Sequence, residues 1–101
     1  MLYITQLIYL KEGQEDTFNE FEGVAIPLIA KYNGQLLLRI RPSAESEIIQ
    51  SSIEVPYDLH LVTFETEADF LNFMQDESRK QFLHLKEQSI RTSILLKGVK
   101  L

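Results

Sequence analysis

The sequence predicts an α+β sandwich, a four-stranded antiparallel sheet with two helices on one face. Three observations predict it. Segments rich in leucine, β-branched and aromatic residues alternate with segments of helical period, in the order strand, helix, strand, strand, helix, strand. Turn and stop signals divide them, among them Asn33-Gly34, Pro42, Pro56 and a cap at Thr66. The strands are also apolar on both faces, which a sheet covered on one side does not require.

Each element has its own warrant. Met1 to Leu10, "MLYITQLIYL", is strand-like, and "KEGQED" breaks the pattern. From Gln14 the apolar residues Phe18, Phe21, Ala25, Leu28 or Ile29, and Tyr32 recur at helical spacing. Asn33-Gly34 ends that helix in the left-handed manner, and Pro27 inside it predicts a kink or break around Val24 to Pro27. "QLLLRIRP" is the second strand, stopped by Pro42. The polar stretch 43–56 is a long connection with no firm pattern. "YDLHLVTF" is the third strand. Thr66, followed three residues later by Asp69, caps a helix whose stripe is Phe70, Phe73 and Met74. "QDES" interrupts the stripe before Phe82 and Leu85 resume it. "RTSILLKGVKL" is the fourth strand. Right-handed crossovers then place both helices on one face, in the ferredoxin-like βαββαβ arrangement.

Composition sets outer bounds. The 101 residues make one domain, 1–101, with 45% hydrophobic and 25% charged residues, as in ordinary globular proteins. A net charge of −5 with no basic cluster argues against nucleic acid as a partner. Without cysteine there is no disulfide framework, thiol nucleophile or thiolate metal site. The apolar opening lacks a basic leader region and is too short to span a bilayer, so no membrane partner and a cytoplasmic location are expected.

With even alternation, one sheet face carries Leu2, Ile4, Ile8, Leu36, Leu38, Ile40, Val62 and Phe64. The other carries Tyr3, Leu7, Tyr9, Leu37, Leu59 and Leu61. Two short helices cover only one of them. The expected cover for the second face is another copy of the chain, in a symmetric homodimer that buries Leu7, Tyr9, Leu37 and Leu61. Tyr3 and Tyr9 then read as interface or core aromatics rather than catalytic acids.

"KEGQEDTFNEF", "KYNGQLLLR" and "DLHLVTFETEADFLNFMQDESRKQF", in that order, resemble the dimeric α+β barrel superfamily, which includes the antibiotic-biosynthesis-type monooxygenases. The resemblance spans the whole chain and implies architecture more than activity. It implies a site between sheet and helices. Gln6 falls where heme-degrading members carry asparagine, Phe64 where an aromatic is common, and Phe73 where they carry tryptophan. Their heme-ligating histidine falls near Leu83, one position from His84. A slip of one helical residue turns a side chain by about 100°, so His84 is expected to face solvent and no heme or other cofactor is expected.

His60 shares a face with Val62 and Phe64 and so points at the helices. Gln6, midway along the adjacent central strand, points the same way. Two polar groups then meet on an oily face, where an unpaired one costs roughly 1–3 kcal/mol. They are either a satisfied core pair or the lining of a small-molecule pocket of Gln6, His60, Phe64, Phe73 and Met74, with His60 as the best candidate catalytic group. Glu65, Glu67 and Asp69 suit a helix start and have no histidine at metal-binding spacing, so no metal is expected. Arg39 and Arg41 are expected on the barrel side of strand two, as anion or interface residues. Two functions stay open. One is a pocket for a small apolar or aromatic molecule, extending to a cofactor-independent enzyme; the other is a non-catalytic dimerisation module. A heme-degrading or quinol-type monooxygenase ranks behind both.

Overall fold

A computed structural model describes residues 1–43 and 45–101. β1 (Leu2–Leu10) leads into α1 (Glu15–Leu28), a turn of 3-10 helix (Ile29–Tyr32) and β2 (Gly34–Ile40). β3 (Asp58–Phe64), α2 (Glu67–Met74), α3 (Glu77–Gln81), α4 (Leu83–Ser89) and β4 (Ile90–Val99) complete the chain. The sheet is antiparallel in the order β2-β3-β1-β4, with β1 and β3 central. This is the ferredoxin-like βαββαβ arrangement that the element order predicts. No helix among the described residues is long and apolar enough to cross a membrane.

The first crossover differs from expectation at Pro27. α1 runs through the proline and changes to 3-10 geometry only at Ile29. The hydrogen bond that Pro27 cannot make would have gone to Gly23, and the disruption appears just beyond the ring. Asn33 then takes the left-handed conformation, with φ 57°. Gly34 has a different duty. A Cβ there would stand 2.7 Å from Ile29 Cγ2 and from the Phe64 ring, so only glycine lets β2 pass this close.

The second crossover is three short helices rather than one interrupted helix. Thr66 caps α2 by accepting from the Asp69 N–H, and Asp76 caps α3 by accepting from the Arg79 N–H. Asp76 breaks the helix because its backbone is extended while its carboxylate serves the next one. It also accepts from the Tyr32 hydroxyl and Lys31 Nζ, tying α3 to the end of the first crossover.

The core lies between sheet and helices. Ile4, Ile29, Val62 and Phe64 form one cluster, with Phe70 and Phe73 packed against it; Phe21, Ala25 and Leu85 form a second. One register shift rearranges the edge. Leu36 pairs with Val62, but Leu38 pairs with Leu61 and Arg39 with His60, so β2 holds one extra residue at Leu37. A one-residue slip exchanges the faces of everything beyond it. Leu38 and Ile40 therefore turn to the barrel side and Arg39 to the helix side, the reverse of even alternation. The described part of 45–56 forms neither helix nor strand. Glu54 accepts from the Tyr9 hydroxyl through its carbonyl and from Arg91 through its carboxylate. Tyr9 is consequently buried within its own protomer, not left bare for a partner as expected.

Candidate functional site

Five elements bring polar side chains to one place under the helices. β1 supplies Gln6 and β3 supplies His60, directly opposite each other on the central strands. Glu22 descends from α1, Arg79 from α3 and Lys86 from α4. With Phe21, Phe64 and Phe73 on the apolar side they line a cavity of about 70 Å³. Glu22 points inward because it lies on the buried stripe of α1, between Phe18 and Ala25.

Behind His60 lies a buried carboxylate. Asp58, two residues along β3, shares the face of His60 and accepts from its Nε2 at 2.9 Å. Arg39 Nε and Arg41 Nε donate to the same carboxylate at 2.9 and 2.8 Å. Arg41 also donates to Asn19 on α1 and lies 4.3 Å from the centre of the Tyr57 ring. Burial alone would raise the Asp58 carboxyl, but hydrogen bonds from His60, Arg41 and Arg39 outweigh it and hold the group at about 2. An ionised carboxylate only accepts, so Nε2 carries a proton and donates it to Asp58.

Glu22 and Arg79 are less satisfied. Burial raises the Glu22 carboxyl above its ordinary range, against the lowering effect of His60 and Arg39. Arg79 is 5% exposed, donates from Nη1 to the Met74 carbonyl at 3.1 Å, and packs against the Phe73 and Phe21 rings. Its Nε is buried without a partner. Burial lowers Lys86 as well, with the Arg79 charge beside it acting in the same direction. An oriented imidazole, a carboxyl pushed toward its neutral form and two cations thus face one small space.

Of the residues singled out in the sequence, Gln6, His60, Phe64 and Phe73 meet at this cavity. Met74 does not line it: one step past Phe73 on α2, it turns away and contributes only its carbonyl. The hydrogen bond of His60 goes to Asp58, not to Gln6. Arg39 and Arg41 are not barrel-facing; the bulge at Leu37 turns them onto Asp58. His84 is exposed and stacks beside Phe82, outside the cavity. No group of three metal-binding side chains occurs among the described residues. Asp69 serves the Thr66 cap and Glu67 pairs with Lys97.

Sequence reasoning missed Glu22, Asp58, Arg79 and Lys86. Glu22 had a signal, an acid four residues after Phe18 on an apolar stripe. Asp58 had one as well, two residues before His60 on the same strand face. Arg79 and Lys86 had none, because their placement depends on how three short helices break.

Fold and site together define a protein of ferredoxin-like fold, with a polar-ended cavity under its helices. The sequence matches no family model and no curated protein. Solved structures match the fold at low identity. A protein of unknown function from Rhodopseudomonas palustris superposes with a TM-score of 0.82 at 12% identity, over 99% of this chain and 82% of that one. A DABB family protein with a ferredoxin-like fold from Mesorhizobium loti gives 0.69 at 13% identity, over 99% and 96%. A dimeric ferredoxin-like protein of unknown function from a Jannaschia species gives 0.71 at 16%, over 98% of each chain.

Proposed function

We propose that the protein is a homodimer that binds a small molecule, apolar or aromatic in its body, in the cavity between sheet and helices. One observation carries this reading. Beside an apolar wall, Arg79 Nε is buried with no hydrogen-bond partner among the described residues. Buried polar groups are almost always satisfied, so a partner from outside the chain is the simplest completion. The cavity is well below the roughly 300–1,000 Å³ of drug-sized sites, so the ligand is small or the helices part to admit a larger one. His60, oriented by Asp58, is the group through which cofactor-independent catalysis would run, as a general base at Nδ1. The dimer forms through the barrel side of the sheet, where Leu7, Leu59, Leu61, Leu38, Ile40, Ile94 and Leu96 lie; the Jannaschia neighbour is described as dimeric. The absence of cysteine suits a cytoplasmic protein.

A non-catalytic dimerisation module is the second reading, favoured by the well-bonded Asp58 cluster. A crystal structure of the purified protein separates the two. Density larger than water between His60 and Glu22 supports the binding reading; a space holding only ordered waters after soaking with small aromatic compounds supports the module.

A further inference from the structure

We infer that the cavity takes a small monocarboxylate, with its carboxylate on Arg79 and its hydrocarbon body against Phe64, Phe73 and Ile29. This rests on the binding reading above and goes further by naming the chemical class. Arg79 Nε is buried with no acceptor among the described residues, and its guanidinium packs against the Phe21 and Phe73 rings. A guanidinium fixed in this way suits a planar anion better than a lysine would. Lys86 adds a second cation at the same cavity.

The charge of Glu22 acts on both cations, and that of Asp76 on Arg79, but among the described residues no acid closes an ion pair with either. Among the described residues neither Arg79 nor Lys86 takes part in an ion pair, and the one pair that reaches the cavity is His60 with Asp58. Glu22 is the one acid at the cavity. Burial raises its carboxyl above the ordinary range although His60, Arg39 and Arg79 act the other way. Size narrows the class. About 70 Å³ corresponds to roughly two or three waters, so only the smallest branched or short-chain monocarboxylates suit the space. The wider groove beside Tyr9 and Arg91 makes no such demand, because Arg91 already donates to both oxygens of Glu54.

Isobutyrate and its neutral isostere isobutyramide test this. The methyl resonances of Ile29 and Val62 are followed as each probe is titrated into the isotope-labelled protein. The expected result is that isobutyrate binds at least about tenfold more tightly than the amide, with shifts centred on those methyls. In Arg79→Gln the preference should vanish while the amide still shifts the same methyls. Equal binding of acid and amide in the unaltered protein overturns the carboxylate assignment and leaves the cavity reading standing. Absence of shifts at the cavity with either probe removes both. Should Arg79→Gln fail to fold, Arg79→Lys replaces it: a weakened acid preference supports the assignment, and an unchanged one contradicts it.

Discussion

Arg39 stands opposite His60 across the β2–β3 ladder, although even alternation along β2 would put it on the other face of the sheet. The single extra residue at Leu37 accounts for the difference. It brings two arginines over Asp58, which in turn fixes His60. The apolar residues that would have taken those places, Leu38 and Ile40, are turned out to the barrel side. One bulge thus shapes both the cavity and the exposed apolar face of the sheet.

The Asp58 cluster makes stability depend on acid pH. Its carboxyl is held at about 2, below an ordinary value of 3.8. A depressed carboxyl contributes stability that is present above 3.8 and lost as pH falls through about 2. The contribution is about 2 kcal/mol, from a shift of nearly two units. Asp76, also held at about 2, chiefly by the Tyr32 hydroxyl, acts in the same direction. Urea melts between pH 7 and pH 2.5 should show the decline. Asp58→Asn should be less stable by about 2 kcal/mol at pH 7 and should flatten the acid limb.

Replacement of His60 by alanine should cost about 1–2 kcal/mol. The ring is buried and bonded to Asp58, but it borders a cavity rather than packed side chains on every side, and Arg39 and Arg41 still satisfy the carboxylate. Denaturant melts measure it. A loss near 4 kcal/mol would mean a filled core rather than a cavity.

Much of this was legible beforehand. Strand order, the Thr66 cap, the Asn33 turn and the inward aim of His60 and Gln6 follow from local residue chemistry and period. The bulge did not, because "QLLLRI" reads as strand in either register and only pairing with β3 selects one. Met74 was misplaced for a related reason: Phe73 and Met74 are neighbours in the stripe, and only packing decides which of them looks inward. Arg79 was hidden by its helix, five residues long and set by the Asp76 cap rather than by any apolar period.

The barrel side of the sheet predicts assembly. Ile40 is 46% exposed, Ile94 41% and Leu96 58%, with Leu7 and Leu61 half-buried between them. A partner sheet packed there should bury well over about 1,000 Å². Light scattering at micromolar concentration should give twice the mass of the chain. Leu61→Lys should give the monomer, because a charge at the centre of an apolar interface is costly. A monomeric unaltered protein would reject the dimer.

Hemin should not bind stoichiometrically. His84 is on the surface and the cavity is far smaller than a porphyrin. Titration should produce no sharp one-to-one Soret shift. A shift abolished by His84→Ala would restore the heme-degrading reading.

The central claim is that polar groups line the cavity for a ligand and not for the fold, and Glu22 tests it most directly. A carboxyl raised above its ordinary range by burial destabilises the free protein, and an apolar side chain of similar volume removes that burden. The decisive measurement is the urea melt of Glu22→Met beside the unaltered protein at pH 7. The account predicts a gain of about 1 kcal/mol with the fold intact. A loss of about 1 kcal/mol or more would show that Glu22 is the structural counter-ion of Arg79 and Lys86, and would contradict the assignment of this cavity as a binding site.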